Sequence, residues 1–130
     1  MKKIISTVLV CILLCGCIFA LSACGAPDSD PKAAAEALEE EGYEVTLTEN
    51  TKGYAATIVA IKNNVKEKKY DYVEIYYFNS EADANKAWET LESKFSAEAE
   101  EFDGTDYEIE YGKSGAVIYK GTPDAIGAAN

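Results

Sequence analysis

The spacing of apolar residues divides the chain into one unbroken greasy run near the N-terminus and a patterned remainder. In PKAAAEALEEEGY, Ala34, Ala37 and Leu38 recur at i, i+3 and i+4 while Glu36, Glu39 and Glu40 turn away, which predicts a helix. Asp30 is placed to cap it, Pro31 suits its first position and Gly42 stops it. YEVTLTEN then switches to a period of two, with Tyr43, Val45 and Leu47 on one face and Glu44, Thr46 and Thr48 on the other. That is the pattern of a half-buried strand. A turn over residues 50–53 leads into YAATIVAI, whose mixed pattern implies a strand buried on much of both faces and central in its sheet, a helix being the alternative for eight apolar-leaning residues. KNNVKEKK reads as a lysine-rich connection, and YDYVEIYYF as a strong strand in which Val73, Ile75 and Tyr77 alternate with Tyr72, Glu74 and Tyr76.

The clearest helical signal is SEADANKAWETLESKFS. Ala84, Trp88, Leu91 and Phe95 form one stripe, and Ser80 with Asp83 makes a variant of the capping box. Trp88, the single tryptophan, is expected in the core, where its loss to alanine would cost about 3–5 kcal/mol. TDYEIEY, with Tyr107, Ile109 and Tyr111 on one face, and AVIYK predict two last strands joined by a turn at GKSG. A short helix, DAIGAA, follows Thr122 and Pro123. The order α-β-β-β-α-β-β, followed by that short helix, predicts an α+β domain. Its expected architecture is a mainly antiparallel sheet of about five strands with two helices packed on one face, loosely ferredoxin-like in topology.

The greasy run itself begins after Lys2 and Lys3 and extends from Ile4 to Leu21, with the small residues Ser22 and Ala23 before Cys24. A positive n-region, an apolar h-region and small residues at the end form the layout of an export signal. The run is also long enough to span a bilayer. Leu21-Ser22-Ala23-Cys24 resembles the lipobox of bacterial lipoproteins. The resemblance implies cleavage before Cys24 and diacylglyceryl attachment to its sulfur, so that acyl chains hold the mature protein at the membrane, facing outside the cytoplasm. It divides the chain into a signal peptide over residues 1–23, a lipidated tether over residues 24–30 and one small domain over residues 31–130.

The composition then narrows the function. All four cysteines lie within the first 24 residues. The resemblance implies that Cys11, Cys15 and Cys17 leave with the signal, so the domain is expected to have no disulfide, thiolate metal site or cysteine nucleophile. The mature part keeps ten lysines against 23 carboxylates, a formal net charge of −13, with no Arg and no His. A surface so acidic is unsuited to nucleic acid, which is bound through basic residues that neutralise phosphates. Without His, triads of the Ser-His-Asp type and histidine metal sites are excluded. No cofactor-binding motif occurs. Ser114 sits in the expected turn without a base. The carboxylate run Glu98, Glu100, Glu101, Asp103 and Asp106 does not match an EF-hand loop and reads as a solvated helix end.

Nine tyrosines remain, nearly all in expected strands, where their rings pack and their hydroxyls reach water. Tyr72 and Tyr76, opposite the Val73 and Ile75 face, are the candidate surface for an envelope protein or a glycan. The sequence therefore points to a non-catalytic, lipid-anchored module that binds or scaffolds another envelope component. An accessory protein sensing a small ligand or a divalent cation is the alternative, and a small carboxylate-dependent enzyme a further one.

Overall fold

The computed structural model describes residues 26–50, 53–64, 69–102 and 108–130. The apolar run and Cys24 lie outside the described residues. The elements are α1 (Pro31–Glu40), β1 (Glu44–Glu49), β2 (Ala56–Asn64), β3 (Lys69–Tyr77), α2 (Glu81–Glu101), β4 (Glu110–Ser114), β5 (Val117–Gly121) and α3 (Pro123–Ala128). The α+β class, the five-stranded sheet and the order of elements are as expected. The strands lie in the order β1-β2-β3-β5-β4, and each neighbouring pair is antiparallel. Because β5 sits between β3 and β4, the segment β3-α2-β4 is a split βαβ unit, the one part of the fold that is ferredoxin-like.

Local chemistry accounts for the helix ends. The Asp30 side chain accepts from the Lys32 N–H at 3.1 Å, and Ser80 Oγ accepts from the Asp83 N–H at 3.1 Å. At the other end of α1, Gly42 adopts a φ of 90°, which a side chain would disfavour. Its N–H donates to Glu39 and that of Tyr43 to Leu38, the reciprocal pair of bonds that closes a helix with a left-handed residue. The bonds bring Tyr43 onto Leu38 within the core and set the direction of β1.

Alternation along β3 organises the packing. Val73, Ile75 and Tyr77 face a core built with Ala34, Ala35 and Leu38 of α1, Ala56, Ile58 and Ala60 of β2, and Ala125 and Ile126 of α3. Tyr76 points the other way and is paired with Ile118, which packs with Ala84 and Phe95 of α2. Two helices thus share one face of the sheet, as expected, but they are α1 and the short α3. The long helix α2 lies across the opposite face, over β4 and β5.

Three expectations change in detail. The strand β2 is buried on one face only and lies second in the sheet; β3 is central. It also runs on through Lys62 and Asn63 to Asn64, so that with Lys69 opening β3 half of the expected lysine-rich connection is strand. The final hairpin is displaced: β4 begins at Glu110 and continues to Ser114, and the turn is Gly115-Ala116. Lys113 and Ser114 pair with Ile118 and Val117, so Ser114 is a strand residue. Gly112 reads as a turn residue, yet it serves the strand. A Cβ there would lie 2.5 Å from the Tyr119 hydroxyl oxygen, so with any other residue the cross-strand ring would have to shift. Of the expected strand TDYEIEY, residues 105–107 lie outside the described residues, and Glu108 and Ile109 precede the ladder.

The α2 stripe is graded rather than uniformly buried. Ala84 and Phe95 are buried, whereas Trp88 and Leu91 are half-buried, with the indole tilted on Tyr111 at 6.2 Å. Trp88 is therefore not the core residue its spacing suggests. Phe95→Ala is expected to destabilise by about 3–5 kcal/mol and Leu38→Ala by about 2–5 kcal/mol. Trp88→Ala is expected to cost clearly less than Phe95→Ala while still unfolding cooperatively. Urea unfolding of the three variants checks this order; a Trp88→Ala loss larger than that of Phe95→Ala contradicts it.

Candidate interaction face

On the α2 side of the sheet, register determines which side chains meet. Glu44 of β1 lies beside Ile61 of β2 and Tyr72 of β3, and Thr46 beside Val59 and Glu74. Thr48, Thr57 and Tyr76 form the next row, and Tyr70 lies opposite Asn63. Helix α2 packs over β4 and β5, so its cover ends near β3. Val59 and Ile61 are each 43% exposed and Tyr70 48%, the exposed large apolar residues among those described. This is a three-stranded face with apolar and aromatic side chains in one plane.

Tyr72 and Tyr76 are on this face, as their spacing implies, but both are half-buried and lie at its α2 border. Tyr76 stacks at a tilt on Tyr54 at 5.5 Å, and its hydroxyl donates to Glu74 Oε2 at 3.1 Å. Tyr72 lies 6.1 Å from Tyr70, ring centre to ring centre. Its hydroxyl pKa is raised, first by burial, with the opposing Lys120 charge lowering it and Glu74 and Glu98 raising it. The exposed apolar part of the surface is Val59, Ile61 and Tyr70, although the pattern of residues 54–61 implies a strand buried on much of both faces. The available signal was the unbroken TIVAI run beside the alternating β1 and β3. It told of apolar side chains on both faces of β2 but not of what would cover them.

The border is held by Lys120. Its side chain is only 10% exposed. Its Nζ donates to Glu98 Oε2 at 2.5 Å, pairs with Glu74 Oε2 at 3.2 Å and sits 5.0 Å over the Phe95 ring. Burial alone lowers the ammonium pKa, but the hydrogen bonds and charges of Glu98 and Glu74 outweigh it and the net shift is upward. Glu98 is therefore not part of a freely solvated helix end: α2 continues to Glu101, and the Glu98 carboxylate fastens the helix to the sheet. Asp103 and Asp106 lie outside the described residues. Among the described residues, no group of three or more His, Cys, Asp or Glu is placed to hold a metal ion.

The expected tether is partly built into the domain. The Asp28 N–H donates to the Ala129 carbonyl at 2.8 Å, and the Tyr77 hydroxyl donates to the Asp28 carbonyl at 2.7 Å. Ala26 is buried as well. The chain from residue 26 onward is thus docked beside α3, and it arrives on the α1 face because Tyr77 belongs to that face.

Two measurements test this description. Lys120→Met leaves Glu74 and Glu98 without their shared cation and is expected to cost roughly 1.5–3 kcal/mol, the range for a hydrogen bond to a charged group. A loss below about 0.5 kcal/mol would mean that the cluster does not hold α2 in place. Alkaline titration tests the tyrosines. Burial raises the hydroxyl pKa of Tyr72, Tyr76, Tyr77 and Tyr119 and pushes that of Tyr43 up to about 12. The unfolded chain releases these protons first, near pH 10. Their contribution to stability is therefore complete below about pH 10 and is lost as pH rises through the folded values. The absorbance of these five tyrosines is expected to titrate late and together with loss of the fold; an ordinary midpoint for them with the fold intact contradicts the burial.

Comparison with known proteins finds no matching family model, no similar curated protein and no similar solved structure, so a functional reading rests on the chemistry of this face.

Proposed function

We propose that this protein is a non-catalytic, lipid-anchored module that docks another envelope component outside the cytoplasm on the open face of β1, β2 and β3. The observation that carries the reading is the exposure of Val59, Ile61 and Tyr70 in one plane on a sheet whose opposite face is covered by α1 and α3. Exposed apolar side chains gathered on one surface mark interaction sites more than they mark tolerance of water. The lipobox-like Leu21-Ser22-Ala23-Cys24 supports the anchor. With Asp28 bonded to Ala129, Cys24 and Gly25 are all that precede the buried Ala26 in the lipidated chain. Two extended residues reach about 7 Å. The domain is then held against the membrane surface, and its partner is a membrane protein or a component just outside it.

The test is a photo-reactive residue at position 61 of the full-length protein in its own cells. Cys24→Ala is expected to move the protein out of the membrane fraction or leave it unprocessed, and to abolish cross-links from position 61. A ten-residue Gly/Ser insertion between Gly25 and Ala26 is expected to keep membrane association while lowering the cross-link yield severalfold. Retention of processed, Cys24→Ala protein in membranes would overturn the lipid anchor. Cross-links that are indifferent to the anchor would overturn the membrane-proximal partner.

A further inference from the structure

The acidic surroundings of the open face limit what fits it. Glu44 borders Ile61 on the β1 side, and Glu74 and Glu98 border Tyr72 on the α2 side. The one described lysine among them, Lys120, is shared between two carboxylates. Lys62 belongs to the other face, where its Nζ donates to the Glu41 carbonyl at 2.6 Å and lies 5.5 Å from the Tyr43 ring centre. The surface is therefore apolar at its middle and anionic at both sides. The mature chain as a whole is anionic too, at a formal −13 from ten lysines and 23 carboxylates.

We propose that this face receives a cationic, amphipathic segment of a partner protein, its apolar side chains on Val59 and Ile61 and its lysines or arginines over Glu44 and the Glu74–Glu98 side. The proposal rests on the binding-module reading above and names its partner. Charge complementarity selects this occupant among those an apolar face can take. A second copy of the chain would bring the same anionic borders and the same large negative charge. A glycan is held by hydrogen-bonding side chains around an aromatic platform, whereas the middle of this face is the exposed aliphatic pair Val59 and Ile61. The chain's own N-terminal segment arrives on the far side of the sheet, where Tyr77 holds Asp28. A segment carrying both apolar and basic residues matches the pattern, and the net charge of the domain would steer it inward.

The experiment uses the lipidated full-length protein in phosphatidylcholine nanodiscs and three labelled peptides, of alternating Lys and Val, Glu and Val, and Lys and Ser. Fluorescence anisotropy is expected to show binding of the Lys/Val peptide, weakening steeply with salt, and at least tenfold weaker binding of the other two. Val59→Ser with Ile61→Ser is expected to weaken the Lys/Val peptide at least tenfold. Glu44→Lys, a surface change that keeps the apolar residues, is expected to weaken it severalfold and flatten the salt dependence. Glu40→Lys on α1 is expected to change neither. Equal affinity for the Glu/Val peptide, or affinity indifferent to both variants, overturns the proposal. So does self-association of the protein that Val59→Ser with Ile61→Ser removes, or retention of glycan fragments in place of the Lys/Val peptide. Anchor-dependent cross-links from position 61 alongside no Lys/Val binding would overturn the cationic partner alone and leave the anchored-module reading standing.

Discussion

The fold depends on the alternation of β3, because that strand contributes to both layers of packing. Its odd-numbered residues Val73, Ile75 and Tyr77 join Leu38 and Ile58 in the larger core, while its even-numbered residues face α2 and the open surface. A slip of one residue would carry Glu74 into the main core and Ile75 out of it, so the register is strongly specified. In a domain without disulfide bonds, burial of this kind is the main source of stability.

The two faces of the sheet are covered by different means. On one, α1 and α3 present small residues, mostly alanine, that lie close to β2 and β3, and the docked segment at Asp28 adds to that layer. On the other, a single long helix covers β4 and β5, and its border is a cluster of one buried lysine and two carboxylates. An isolated buried lysine would be costly; two carboxylates and an aromatic ring make it a fastening point. One helix is too narrow to cover five strands, so β1, β2 and part of β3 remain open. The surface offered to a partner follows from the number and placement of helices and needs no special loop.

Much of the architecture is legible in the sequence because it is local. The caps at Asp30 and Ser80, the stop at Gly42 and the alternation of β1 and β3 depend on residues within a few positions of one another. Other features depend on distant partners and are not legible. Gly112 signals a turn until Tyr119 is seen lying across it. Trp88 signals core until it is seen half-buried against Tyr111 of the edge strand β4. Glu98 belongs to an acidic run that reads as solvated, and only Lys120, on a strand 22 residues away, gives it a place.

The sequence by itself determined the α+β class, the succession of elements and the acidic character of the domain, since periodicity and charge are properties of neighbouring residues. Through its lipobox-like motif it also raised the expectation of a lipid anchor. Only the tertiary structure decided that α2 crosses to the face opposite α1, that β3 and not β2 is central, and that the chain is docked from residue 26. It alone made Val59 and Ile61 a surface. Apolar residues on both sides of a strand require cover on both sides, and whether that cover exists is settled by where a helix from elsewhere in the chain comes to rest.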